Sequence, residues 1–125
     1  MNQKVKKILI IEDDKNYLFL LKTNFIREGF VVVTAEKGGE GIDLALKEKP
    51  DLAIIDLLLP DVYGLQVARK IREAGVKIPL FFLTNVKDED EISKALETED
   101  ADYLIKSDIN LETIVSLVKN RLKIV

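Results

Sequence analysis

The 125-residue chain contains no cysteine, no histidine and no tryptophan. Without cysteine it has no disulfide, no thiolate nucleophile and no sulfur ligand for a metal, a composition that fits a reducing compartment. Without histidine it has no imidazole base, no imidazole metal ligand and no phosphohistidine of its own. There are only three prolines and six glycines, and no linker, repeat or low-complexity stretch interrupts the chain. Neither sign of charge dominates: 19 Lys and Arg oppose 22 Asp and Glu, a net charge of -3. That mixed surface offers no electrostatic footprint for nucleic acid. Lys4, Lys6 and Lys7 precede an apolar run, as in a leader, but Glu12-Asp13-Asp14 ends the run far too early for a signal peptide or a membrane span. The expectation is one cytoplasmic, soluble domain over residues 1–125, with no output domain attached and no nucleic-acid or membrane partner.

What the chain does have is a set of short, unbroken aliphatic and aromatic runs, each stopping at a polar residue. Ile8-Leu9-Ile10-Ile11 stops at Glu12-Asp13-Asp14, Leu52-Ala53-Ile54-Ile55 at Asp56, Leu80-Phe81-Phe82-Leu83 at Thr84, and Tyr103-Leu104-Ile105 at Lys106. Runs of this kind, separated by longer amphipathic segments, read as parallel strands covered by helices on both faces. Parallel strands all point one way, so the residues just past each run gather at one edge of the sheet. In open α/β sheets that carboxyl edge is where ligands bind. Glu12, Asp13, Asp56, Thr84 and Lys106 are therefore expected to converge.

The intervening segments supply the helices. Strands are expected at about Val5–Ile11 and Phe30–Ala35, from Leu52 to an end at Asp56, from Pro79 to Thr84, and at Tyr103–Ile105. A helix over about 15–28 has Leu18, Leu21 and Phe25 inward and stops at Gly29. One over 38–47 presents Ile42, Ala45 and Leu46 and cannot pass Pro50. A third, 63–74, turns Leu65, Ala68 and Ile71 inward and is closed by Gly75. A short fourth, to about Glu97, has Asp88 as N-cap and Glu91 completing a capping box. The last, from Asn110, carries Leu111, Ile114, Val115, Val118 and Leu122 on one stripe, with Leu117, Ile124 and Val125 outside it as spare apolar surface. Five βα units make a doubly wound α/β domain.

Three carboxylates brought together repel one another unless a cation neutralises them. Oxygen ligands with no histidine or cysteine suit a hard divalent ion, Mg2+ above all. Relief of that repulsion predicts that Asp56→Asn stabilises the metal-free protein. A lysine and a threonine hydroxyl opposite the acids complete the equipment of phosphoryl transfer, which works chiefly by positioning and by neutralising dispersed charge. Asp56 is the candidate nucleophile, because a carboxylate can form an acyl phosphate.

The set Glu12-Asp13, Asp56 followed by Pro60 and Gly64 at fixed offsets, Thr84, Tyr103 and Lys106 resembles the receiver domain of two-component response regulators, in its single-domain, chemotaxis-regulator-like form. The resemblance covers roughly residues 4–123. It implies the flavodoxin-like receiver fold, a five-stranded parallel sheet of order 2-1-3-4-5 with five helices. Asp56 would be the phosphoacceptor, Asp13 a direct Mg2+ ligand, and Glu12 a ligand acting mainly through metal-bound water. The backbone carbonyl of Leu58 would fill another coordination position, Lys106 would pair with the phosphoryl oxygens and Thr84 would hydrogen-bond them. Tyr103 would be the aromatic that turns inward when Thr84 moves. The phosphodonor would be a sensor histidine kinase or a phosphotransfer protein, and the readout a downstream protein target docking on the surface of the fourth helix, fifth strand and fifth helix.

This chain departs from the family's pattern at several places. Ser107 follows Lys106 where the family usually has a proline after a cis bond, and non-proline residues seldom adopt one. Leu58 and Val86, two places after Asp56 and Thr84, are apolar where many receivers carry polar groups that help position water, which implies slow autodephosphorylation. Glu99 stands where the turn before the fifth strand often has glycine. A phosphorylation-independent interaction module of the same fold is the alternative reading. A flavodoxin-like cofactor binder is disfavoured by the acidic first loop, which repels phosphate without a metal.

Overall fold

The computed structural model describes residues 4–124. Its elements follow one another as β1 (Lys7–Ile11), α1 (Lys15–Arg27), β2 (Val31–Ala35), α2 (Gly38–Lys47), β3 (Leu52–Ile55), α3 (Gly64–Glu73), β4 (Leu80–Thr84), α4 (Glu89–Leu96), β5 (Ala101–Ile105) and α5 (Leu111–Arg121), with a 3₁₀ turn at Lys106–Asp108. The five strands form a single parallel sheet in the order β2-β1-β3-β4-β5. That is the doubly wound arrangement the alternating runs predict, with the order that the resemblance implies.

Strand periodicity decides which helix each side chain meets. In β1, Ile8 and Ile10 pack with Leu18, Leu21, Phe25, Ile114 and Val118 of α1 and α5. Leu9 and Ile11 point the other way, against Ala45 of α2 and Val67, Ala68 and Ile71 of α3. These four residues of β1 are fully buried, which is why such strands read as unbroken apolar runs instead of alternating ones. Edge strand β5 is only half-buried, and Tyr103 leans from it onto the α2–α4 face beside Phe82.

The structure corrects several helix faces. Leu46 is exposed, Val67 is fully buried, and Leu65 is only partly buried against that cluster. Asp88 caps α4 by accepting from the amides of Asp90 and Glu91, but one carboxylate oxygen of Glu91 is buried without a hydrogen-bond partner, so the reciprocal half of the capping box does not form. Leu117 and Ile124 pack against the α1–α5 cluster and are not spare apolar surface; Val125 lies outside the described residues. The turn that holds Glu99 before β5 is made by a left-handed residue at Asp100, φ 53°. No peptide bond among the described residues is cis, Lys106-Ser107 included.

Two loop contacts hold the sheet's carboxyl edge in shape. Asp61, on the loop between β3 and α3, accepts from the amides of Gly38 and Gly39 at 2.8 and 3.0 Å. It thereby caps α2 from another segment, where the helix's own N-cap residue, Lys37, provides no side-chain bond. Gly64 is set by close approach: a Cβ there would lie 2.3 Å from the Asp56 carbonyl oxygen and 2.7 Å from the Leu57 Cα. Both obstacles are backbone, so the β3–α3 loop itself would have to move. Gly64→Ala is expected to cost about 3 kcal/mol in denaturant unfolding; a change under about 0.5 kcal/mol, the size of an ordinary surface substitution, would contradict this packing.

Candidate functional site

Three chain segments meet where β1 and β3 end and β5 runs into its 3₁₀ turn. Glu12 and Asp56 each follow the last residue of a central strand and are both buried, whereas Asp13 is exposed. One carboxylate oxygen from each of Glu12, Asp13 and Asp56 falls within a group whose members all lie within 4.8 Å of one another. Lys106 Nζ donates to Asp56 Oδ2 at 3.0 Å and forms a second, short ion pair with Glu12 Oε1. The other oxygens are also used. Glu12 Oε2 accepts from the Asp14 amide at 3.0 Å, and Asp56 Oδ1 from the Leu58 amide at 3.1 Å.

The acidic run of the first loop is thus divided by geometry. Glu12 turns into the protein, Asp13 faces solvent, and Asp14 is the N-cap of α1, accepting from the Asn16 and Tyr17 amides at 3.0 and 3.1 Å. The cap role of Asp14 is legible in sequence, since an aspartate immediately before a helix is a preferred N-cap.

Burial is the main influence on Glu12. It raises the carboxyl to about 7, against the lowering effects of the Lys106 and Asp14 bonds and with a further push from the Asp56 charge. For Lys106, burial pulls the ammonium down, but the bond to Glu12 and the charge of Asp56 outweigh it and hold the group above its usual value. Lys106 therefore stays a cation between two acids.

Thr84 ends β4 and is buried. Its hydroxyl accepts from the Val86 amide at 3.4 Å, and no hydrogen bond among the described residues joins it to Asp56. Tyr103 lies on the same face of the sheet, and its hydroxyl donates to the Val86 carbonyl at 2.5 Å. Burial, followed by the nearby Tyr63 and Glu91, pushes that phenol up to about 12, so it remains a donor at neutral pH. Leu58 is exposed and forms an isolated antiparallel bridge with Tyr63 across the loop. The sequence pattern thus places all its site residues at one edge, but direct contact joins only the acids and Lys106.

The chain that brings this carboxylate cluster and Lys106 to the carboxyl edge of a 2-1-3-4-5 sheet is matched by a family model. The description of that model is "Response regulator receiver domain", and it covers residues 8–119. The chain belongs to the response regulator receiver family. This receiver is 36% identical over 101 residues to the alkaline phosphatase synthesis transcriptional regulatory protein PhoP of Bacillus subtilis, covering 81% of this chain and 42% of that protein. It is 38% identical over 100 residues to the transcriptional regulatory protein CusR of Escherichia coli, covering 80% and 44%. The chain therefore spans less than half the length of these curated relatives. Among solved structures it superposes with a TM-score of 0.90 on a CheY-like response regulator receiver domain protein from Methanospirillum hungatei, at 26% identity over 96% of this chain and 95% of that one. It matches a two-component response regulator from Clostridium difficile at 33% identity and a TM-score of 0.87, covering 94% and 96%. Receiver domains are signalling switches of two-component systems. No helix among the described residues is long and apolar enough to cross a membrane.

Receiver domains generally bind Mg2+ at an acidic pocket, and the oxygen-only set of Glu12, Asp13 and Asp56 fits a small hard cation. The geometry also refines the stability expectation for the metal-free protein. Asp56 is already paired with Lys106, so Asp56→Asn would break a contact while removing a charge. Asp13→Asn relieves the repulsion more cleanly, because Asp13 is exposed and forms no ion pair with Lys106. Two carboxylates about 5 Å apart near water repel by roughly 1 kcal/mol. Asp13→Asn is expected to gain about that much stability in chelator. A lower melting temperature than the parent in chelator would count against the clustering.

Proposed function

We propose that this receiver is a phosphorylation-activated switch in which Asp56 accepts a phosphoryl group, with Mg2+ present, from a sensor histidine kinase or phosphotransfer protein. The observation that carries this reading is the pairing of buried Asp56 with Lys106 Nζ at 3.0 Å, beside two further carboxylates suited to a cation. A carboxylate oxygen of Asp56 forms the bond to phosphorus as the P–N bond of the donor phosphoimidazole breaks, and the departing imidazole takes up a proton. Asp13 and Asp56 would ligate Mg2+ directly, together with the Leu58 carbonyl, and Glu12 through water. When bound, the ion neutralises charge on the transferring group. Lys106, drawn away from the acids, would pair with the phosphoryl oxygens, and Thr84 would hydrogen-bond them. The Thr84 hydroxyl is bonded to the Val86 amide and the Tyr103 hydroxyl to the Val86 carbonyl. A Thr84 shift toward the phosphoryl group would therefore disturb the residue that anchors Tyr103. That supports a readout through the surface of α4, β5 and α5, where a downstream protein target would dock.

Incubation with Mg2+ and acetyl phosphate followed by intact-mass measurement tests the reading: gain of one phosphoryl group supports it. No gain, with a kinase partner also failing to label the protein, would leave the phosphorylation-independent interaction module. The apolar Leu58 and Val86 offer no polar group to orient a water at the acyl phosphate. The phosphorylated protein is therefore expected to persist for minutes or longer after donor removal. A half-life of seconds in the same mass assay would overturn that expectation.

A further inference from the structure

We propose that Tyr17, in the first turn of α1, is a positioning residue that holds the Lys106 ammonium over its ring and so keeps it within reach of the reacting phosphoryl group. The inference rests on the phosphoryl-transfer reading for its consequence, though not for its geometry. Lys106 Nζ lies 4.5 Å from the centroid of the Tyr17 ring, inside the range where the negative face of an aromatic attracts a cation. The same nitrogen contacts Glu12 and Asp56, so the ammonium has two acids and a π face as neighbours. The acids are committed elsewhere in the proposed chemistry, since both would turn toward Mg2+. The ring is the neighbour that the metal does not claim.

The placement of Tyr17 follows from the fold. Asp14 caps α1 at the carboxyl edge of β1 and accepts directly from the Tyr17 amide, which fixes the backbone of that turn beside the acidic loop. The ring packs against the apolar cluster beneath α1 and α5, the face that also receives Leu18 and Leu21. The Tyr17 hydroxyl is buried and has no hydrogen-bond partner. It therefore contributes no bond that could explain a tyrosine there, and the part of the side chain in use is the ring face. This distinguishes the proposal from a structural role for the phenol: phenylalanine should serve as well as tyrosine, and an aliphatic residue of similar bulk should not.

The test compares Tyr17→Phe and Tyr17→Leu with the parent in two measurements. In NMR spectra of the metal-free protein, the Lys106 ε-methylene protons are expected to be displaced upfield by the ring current in the parent and in Tyr17→Phe, and to return to ordinary positions in Tyr17→Leu. With Mg2+ and acetyl phosphate, Tyr17→Phe is expected to be phosphorylated at the parent rate and Tyr17→Leu about fivefold more slowly. A double-mutant cycle on denaturant stability with Lys106→Met adds a readout that a purely structural tyrosine would not move. Tyr17→Leu is expected to cost more stability in the parent background than in the Lys106→Met background. Equal phosphorylation of Tyr17→Leu and the parent, or equal loss in Tyr17→Phe and Tyr17→Leu, would overturn the proposal. Additive stability effects would overturn it too. If the parent itself takes no phosphoryl group, the ring-current shift and the stability coupling still decide whether the ring holds Lys106, so the two failures are told apart.

Discussion

Asp56→Ala is expected to lower phosphorylation by acetyl phosphate at least about 100-fold, because the covalent step then has no nucleophile in place. The structure gives a reason to single out Asp56 among the three clustered acids. Glu12 is buried and its carboxyl is raised to about 7, so near neutral pH much of it is protonated and a poorer nucleophile than a carboxylate. Asp13 is exposed and pairs with no lysine among the described residues that could receive the charge of an incoming phosphoryl group. Asp56 has Lys106 at 3.0 Å on one oxygen and the Leu58 amide at 3.1 Å on the other, so charge that develops there meets two donors already in position. The measurement is intact mass over time, parent and variant side by side with Mg2+. Equal labelling of both would move the acceptor to another side chain.

Replacing Lys106 by alanine is expected to have two large effects with opposite dependence on conditions. Loss of one positioned cation should slow phosphorylation by roughly 10²–10³-fold, measured by the same assay. In chelator the variant should also be less stable, because buried Glu12 and Asp56 lose the only lysine paired with them among the described residues. Breaking a buried pair from one side costs about 3–5 kcal/mol. That deficit should depend on pH in a definite direction. The folded protein raises the Glu12 carboxyl from 4.5 to about 7 even with Lys106 present, and removal of the lysine pushes it further the same way. A carboxyl whose folded value exceeds its unfolded value does not oppose folding below the unfolded value, destabilises progressively as pH rises between the two, and levels off above the folded one, so parent and variant part only above the parent's folded value. The stability gap between Lys106→Ala and parent should therefore be small near pH 4.5 and widest above about pH 7. Denaturant midpoints across that range in chelator would check it; a gap independent of pH would mean that Glu12 is not the group left uncompensated.

Tyr17 and Asp61 illustrate why part of the site escaped the sequence pattern. Both stand within a few residues of recognised positions, Tyr17 five places after Glu12 and Asp61 five after Asp56. The ring reaches Lys106 across 89 residues of chain and the carboxylate reaches α2 back across 23. Nothing in local periodicity records such a meeting. Helix faces failed for a related reason. Leu46, expected inward beside Ala45, faces solvent, whereas Val67, next to the expected Ala68, is buried with it. Which neighbour turns in depends on how α2 and α3 rotate against the sheet, and close packing at Gly41 on Ile11 and Gly38 on Val67 sets that rotation.

The elements and their order are written in the residues alone. Unbroken apolar runs of strand length, helical spacing between them, and stops at Gly29, Pro50 and Gly75 leave little besides a doubly wound parallel sheet, and parallel strands necessarily deliver Glu12, Asp13, Asp56, Thr84 and Lys106 to one edge. The family pattern followed from the same residues. What those side chains do once there was settled by packing in three dimensions. It turned Glu12 inward and Asp13 outward, gave Asp14 to the helix cap, set Lys106 between two acids and over an aromatic ring, and left Thr84 bonded to Val86 and not to Asp56. The physical reason is that periodicity is a property of one segment, whereas burial, pairing and charge compensation depend on distances between segments that only the packed sheet and helices fix.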